Sequence, residues 1–199
     1  MMHGVTAAGK TTTSKYLAQF FKATRLATSQ VRAAVGARAA PQGDERRDSA
    51  YAEVADRLKV GLRSEGRFVL DGTYALRRWR EPVYKICRDF KAPLYVVYCV
   101  CDDEDEIHRR IEDRKRRAPK SPDTEADRFF FYVSEKHHFE ELLADDFRQG
   151  TPEAIIVVDT FGGTVNTVNL ASSDSSVALA IGTLWEILGN EPKGHAFDG

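Results

Sequence analysis

The residues Gly4-Val5-Thr6-Ala7-Ala8-Gly9-Lys10-Thr11 follow the pattern G-x-x-x-x-G-K-[ST], whose residue types suit the binding of phosphate. Glycines let the backbone curl until successive N–H groups converge on phosphate oxygens. A helix opening directly afterwards adds its positive N-terminal end. Lys10 has the length to reach β- and γ-phosphates, and the Thr11 hydroxyl can ligate Mg²⁺. Gly4, Thr6, Ala7, Ala8, Gly9, Lys10, Thr11 and Thr12 are therefore the candidate nucleotide-binding residues. ATP and Mg²⁺ are the expected cofactors. The alternative is a glycine-containing turn before a helix, with no ligand.

Two further groups could complete a phosphoryl transfer. Asp71 closes the apolar run Phe68-Val69-Leu70. A carboxylate there can hold a Mg²⁺-bound water or accept the proton of an attacking hydroxyl, although aspartate before Gly72 also suits a plain turn. Arg110 and Arg114 lie four apart, on one face of a charged helix. One of them could stabilise the charge on a transferring phosphoryl from a closing lid. Asp103, Glu106, Glu112 and Asp113 offer the competing explanation, a solvated ion-pair face.

Elements of an α/β domain must position these groups. The pattern predicts helices over Lys10–Lys22, Gln30–Val35, Tyr51–Ser64, Leu76–Phe90, Asp103–Arg117, Glu125–Ala144 and Val177–Leu188. Ala37–Asp48, with Pro41 and Gly43, reads as a loop. Strands are expected at Thr24–Thr28, Phe68–Leu70, Leu94–Val100 and Ile155–Val158, after a very short one ending at His3. Only Met1, Met2 and His3 precede Gly4, so either the start site is displaced or the first strand is unusually short. Apolar strands separated by long helices imply a parallel sheet covered on both faces. Ligands then gather at the carboxyl ends of the strands. That edge collects Gly4–Thr11, Thr28–Arg32, Asp71–Tyr74, Cys101–Asp103 and Asp159–Phe161.

Composition fits one soluble α/β domain over residues 1–199. Hydrophobic residues form 42% and charged residues 30% of the chain, the usual balance for a globular protein. No apolar run approaches the ~18 residues that cross a bilayer. A net charge of −1 argues against a surface wholly built for nucleic acid. Cys87, Cys99 and Cys101 make no disulfide framework, so a reducing cytoplasm is the simplest compartment. Cys99 and Cys101 share one face of a strand, but no second pair of ligands has zinc spacing.

The phosphate loop, Ser29-Gln30-Val31-Arg32, Phe68 to Thr73 followed by Arg78 and Arg80, Arg110-Ile111-Glu112-Asp113-Arg114 and Val157-Val158-Asp159-Thr160 together resemble the polynucleotide-kinase-like and zeta-toxin-like branch of P-loop kinases. The resemblance spans about residues 3 to 160. It implies a three-layer α-β-α sandwich with a five-stranded, mostly parallel sheet and an arginine-bearing helical lid at about residues 109–128. It implies phosphate and Mg²⁺ roles for Lys10 and Thr11 and lid roles for Arg110 and Arg114. Ser29, Arg32, Thr73, Arg78 and Arg80 would face the acceptor, and the loop at Asp159 and Thr160 would lie near the adenine.

One departure bears on the acceptor. Such kinases often carry aspartate as general base where this chain has Ser29. Asp71 is the nearest substitute and Asp48 a distant one. The favoured acceptor is a small hydroxyl-bearing molecule. A 5′-hydroxyl polynucleotide is the alternative, for which Arg77, Arg78, Arg80 and Arg109–Arg117 with Tyr74 and Trp79 could supply a basic, aromatic groove. Phe129–Tyr132 reads as core or, if partly exposed, as an acceptor wall, and His137 and His138 read as surface. A further alternative is an ATPase or nucleotide switch, but no guanine-reading N-K-x-D segment is present. A lid that excludes water favours transfer over hydrolysis.

Overall fold

The computed structural model describes residues 1–36, 44–64, 66–117, 128–140, 142, 152–168, 179 and 182–183. Within them the order is β1 (Met2–His3), α1 (Lys10–Phe20), β2 (Thr24–Ala27), α2 (Thr28–Gly36), α3 (Asp44–Leu62), β3 (Phe68–Asp71) and α4 (Arg77–Asp89). There follow β4 (Tyr95–Val100), α5 (Glu104–Arg117), α6 (Arg128–His138), β5 (Ala154–Asp159) and β6 (Val165–Val168).

The α/β class is as expected, but the single five-stranded sheet is not. Five strands are parallel, yet they fall into two hydrogen-bonded groups. One is a four-stranded sheet in the order β1-β4-β5-β6, and the other pairs β2 with β3. The length of β1 explains the division. Its two residues pair with Val97 and Tyr98 of β4, and β3 lies against its other side with too little strand to run a ladder. The antiparallel β6, which returns along β5, has no counterpart in the sequence reading. Helix α3 begins at Asp44, so Asp44–Asp48 is helical and not loop. Residues 118–127 of the expected lid, and most of the expected helix over Val177–Leu188, lie outside the described residues.

Strand periodicity divides the core into two faces. Val96 and Ile155 point into a cluster with Leu70, Val54 and Leu58 of α3, and Trp79 and Val83 of α4. Their neighbours Val97, Cys99, Ile156 and Val158 point the other way, toward Leu17 of α1. Burial on both faces is why β4 and β5 read as nearly unbroken apolar runs. A smaller cluster of Ala7, Cys101, Ile107, Ile111 and Tyr132 joins the phosphate loop to α5 and α6. Among the described residues no helix is long and apolar enough to cross a membrane.

Candidate functional site

The parallel strands deliver their carboxyl ends to one edge. Ala27 stands beside Asp71 in one ladder and Val100 beside Asp159 in the other. Between these pairs the chain leaves β1 at Gly4 and curls into α1. Three positive φ angles make the curl: Gly4 at 131°, Ala7 at 64° and Gly9 at 83°. Two glycines are also required by crowding. A Cβ on Gly4 would stand 2.3 Å from the carbonyl oxygen of Cys99, and one on Gly9 would stand 2.9 Å from Cγ2 of Thr160.

Helix α1 opens at Lys10, and the N–H groups of a helix's first turn have no partner within the helix. Thr11 and Thr12 are exposed in that turn, whereas Thr13 and Ser14 are buried. The Lys10 ammonium folds back to donate to the carbonyl of Val5 at 2.5 Å. Burial pushes the Lys10 pKa below its ordinary value. The carboxylates of Glu135 and Asp71 oppose that shift, and the charge of Arg114 adds to it.

Asp71 is 6% exposed. Its Oδ2 accepts from the Ser14 hydroxyl at 2.8 Å and from the guanidinium of Arg25 on β2. Ser14 in turn accepts from Arg25 Nε at 3.0 Å. The carboxylate is thus fixed by α1 and β2. Thr11 and Asp71 are a hydroxyl and a carboxylate, donor types that suit Mg²⁺. This ion keeps several waters and relies on substrate phosphates rather than a protein cage. No larger cluster of metal-ligating side chains occurs among the described residues.

On the opposite side Arg110 locks α5 to the loop. Its NH1 donates to the carbonyl of Ala7 at 3.1 Å and to Thr160 Oγ1 at 2.9 Å. NH2 reaches the Thr160 carbonyl at 2.8 Å, and Nε reaches Glu106 at 2.7 Å. Arg109 makes exposed ion pairs with Glu106 and Asp113. The Thr160 hydroxyl donates to the Val100 carbonyl at 3.1 Å. Asp159 Oδ1 accepts from the N–H groups of Phe161 and Gly162 and shapes the turn after β5.

The expected acceptor residues do not gather as one group. Ser29 is exposed and Arg32 half-buried on α2, while Thr73 is half-buried after β3. Arg80 is 1% exposed and donates to the carbonyls of Tyr74, Ala75 and Glu140, each at 3.1 Å. It braces the interior. Arg78 lies in the open and donates to Asp48 at 3.2 Å. Asp48 also receives the indole N–H of Trp79 at 2.6 Å. Tyr51 stacks on Trp79 with ring centroids 4.2 Å apart, and the guanidinium groups of Arg47 and Arg78 lie 6.0 and 5.6 Å from that indole. A hollow of about 140 Å³ opens here, lined by Asp48, Tyr51, Ala52, Arg78, Trp79 and Pro82.

One residue at the loop went unnoticed in the sequence. Glu135 of α6 is 7% exposed. Its Oε2 accepts from the backbone N–H of Thr6 at 2.9 Å and from the Thr6 hydroxyl at 2.7 Å. Its Oε1 accepts from Arg47 at 2.8 Å. A faint signal existed: residues three apart share a helix face, and Glu135 follows the buried Tyr132 at that spacing.

With this geometry in hand, known proteins can be compared. The profile of a family described as AAA domain matches residues 1–129. The chain belongs to this family. No curated protein matches the chain. Among solved structures, a gluconokinase from Sinorhizobium meliloti 1021 is similar, with 14% identity over 94% of this chain and 90% of its own, at a TM-score of 0.52. Chaetomium thermophilum Kti12 in complex with ADP-AlF3 is similar at 14% identity over 93% and 96%, TM-score 0.60. A sugar kinase from Janibacter sp. HTCC2649 is similar at 16% identity over 94% and 92%, TM-score 0.56. What they share with this AAA-domain chain is the P-loop kinase fold. That class is broader than the polynucleotide-kinase-like and zeta-toxin-like branch expected from the sequence.

Proposed function

We propose that the chain is an ATP- and Mg²⁺-dependent phosphotransferase that moves the γ-phosphoryl group to a hydroxyl of a small-molecule acceptor. The observation that carries this reading is the phosphate loop itself. Its backbone is curled by Gly4, Ala7 and Gly9, and its Thr6 N–H already holds an anionic oxygen. The likeness to a gluconokinase and a sugar kinase favours a small acceptor over a polynucleotide.

In this scheme the loop amides and Lys10 hold the phosphates. Thr11 and Asp71 would hold Mg²⁺, which would neutralise charge on the phosphate oxygens. Arg114 of α5, whose charge is felt at Lys10, would be the lid cation that stabilises the transferring phosphoryl. Arg110 positions the loop and, with Asp159 and Thr160, borders the nucleoside side. Ser29, Arg32, Thr73 and the exposed Arg78 remain the acceptor-side candidates, and of these Arg78 lines the hollow beside Trp79. The acceptor oxygen would attack the γ-phosphorus in line as the bond to the β–γ bridging oxygen breaks and ADP leaves. The hydroxyl proton would pass to solvent, and positioning would dominate the rate.

ADP release measured with and without a panel of hydroxyl acceptors tests the proposal. Stimulation by sugars or other small alcohols supports it. Stimulation by 5′-hydroxyl oligonucleotides, falling steeply with salt, would move the assignment to a polynucleotide kinase, and release that no acceptor stimulates would make the chain an ATPase. Lys10→Ala should lose at least about a hundredfold in turnover, on the scale of removing one preorganised charge-stabilising group. Near-normal turnover in that variant would sink the scheme.

A further inference from the structure

Glu135 lies beyond residues 1–129, the span matched by the family profile, yet its carboxylate ends in the phosphate loop. Both oxygens are engaged: Oε2 by the N–H and hydroxyl of Thr6, and Oε1 by Arg47. Tyr132, one turn earlier, packs with Ala7, Ile107 and Ile111, which presses this face of α6 onto the loop. A buried carboxylate is tolerated only where donors satisfy it. Here those donors include a backbone amide of a loop shaped to receive anions.

The same donors cannot serve a phosphate and Glu135 together. Two anions at hydrogen-bond distance in a site with little water also repel strongly. We infer that Glu135 is an internal competitor for the phosphate site. It occupies Thr6 in the nucleotide-free chain, and nucleotide phosphates enter as it withdraws. This inference rests on the nucleotide-binding reading above and adds a regulatory contact to it.

Contacts just past α6 offer a fixed point for such a withdrawal. Just past its end, Glu140 N–H donates to the Ala75 carbonyl at 3.0 Å, and Arg80 donates to the Glu140 carbonyl at 3.1 Å. Phe139 packs on the rings of His3 and Tyr98, with centroids 4.5 and 5.9 Å away. In this proposal the anchor acts as a pivot while Glu135, about one turn before it, swings from Thr6. The Tyr132 packing and the Lys136–Glu104 ion pair give way with it. Arg47 then loses its carboxylate partner while still lying 6.0 Å from the Trp79 ring. Nucleotide entry thereby returns a cation to the hollow on the acceptor side.

The test compares wild type with Glu135→Gln, which keeps the side-chain shape and removes the charge. Calorimetric titration with ATP, and separately with inorganic tripolyphosphate, both in EDTA, reads the competition without turnover. The variant should bind both about fivefold more tightly, because a charge-assisted contact no longer has to be broken. Equal or weaker binding overturns the inference while leaving the nucleotide reading intact. Failure of both proteins to bind ATP, in EDTA and again with Mg²⁺ added, overturns the two together. Hydrogen exchange on the wild type supplies a check that needs no variant. ATP should slow exchange over residues 4–12 and speed it over residues 132–138, and protection of α6 by ATP would overturn the pivot.

Discussion

Asp71 and Glu135 each bring a carboxylate to the phosphate loop, one from the end of a parallel strand and the other from a helix much later in the chain. The donors to Asp71, Ser14 and Arg25, sit on α1 and β2. Strand β2 is laddered to β3 from Thr24–Phe68 to Ala27–Asp71, so this carboxylate moves only if the sheet does. Glu135 is held by Thr6 and Arg47 on a helix attached by side-chain packing. Two groups of the same chemistry thus differ in what must be broken to move them. The first is scaffolding that can present a metal ligand in one geometry, and the second can respond to a ligand.

The contrast can be broken most severely from the fixed side. Gly4→Ala would drive a Cβ to 2.3 Å from the Cys99 carbonyl at a φ of 131°. We expect a loss of about 3 kcal/mol or more in urea unfolding, from backbone strain and overpacking together. A near-neutral change would show that the start of the loop can relax.

Asp71→Asn comes next. It leaves the Arg25 guanidinium, whose side chain is 18% exposed, without its carboxylate, and should cost about 2 kcal/mol. If this variant unfolds at the wild-type urea midpoint, Asp71 is not the scaffold group described here.

His3 sits beneath both sides, fully buried between the rings of Tyr98 and Phe139. Burial, with help from the charges of Arg80 and Lys10, lowers its pKa from 6.5 to about 3. The unfolded chain therefore takes up a proton below pH 6.5 that the folded chain refuses until about pH 3. Stability falls as pH falls through that window, by about 2 kcal/mol between pH 7 and pH 5. Urea unfolding at the two values should show the loss, and His3→Phe should flatten it. An unchanged slope in the variant would assign the acid sensitivity elsewhere.

The smallest effect on stability belongs to the movable side. Glu135→Gln should change unfolding free energy by less than about 1 kcal/mol, since Arg47, with its side chain 29% exposed, can turn to water. The same substitution is the one expected to raise phosphate affinity. A loss comparable with Asp71→Asn would place Glu135 among the scaffold groups and erase the distinction.

Much of the fixed side was legible because its signals are local. The loop motif, the apolar runs of β3, β4 and β5, and the amphipathic spacing of α3 with Val54 and Leu58 all arise from neighbours in sequence. The start of α3 was misplaced because Pro41 and Gly43 mark a breaker without fixing where the next helix begins. The antiparallel β6 was missed because its short run Val165–Val168 carries only two valines. The kinase resemblance put Arg78 or Arg80 on the acceptor side, yet three carbonyls draw Arg80 inward. One of Arg110 and Arg114 was expected on phosphate; in the structure Arg110 bonds Ala7, Thr160 and Glu106.

The sequence by itself determined that a phosphate loop opens a helix, that a parallel α/β scaffold stands behind it and that Asp71 ends a strand at the ligand edge. Each follows from backbone conformational limits and from periodic burial, which act over a few residues. Only the tertiary structure decided that β1 is too short to knit one continuous sheet, that Arg80 faces inward and that Glu135 reaches Thr6. Those outcomes depend on which distant donors and acceptors meet once the core has closed. A carboxylate in α6 has no local reason to seek an amide in the phosphate loop until Tyr132 and Ile111 bring the two surfaces together.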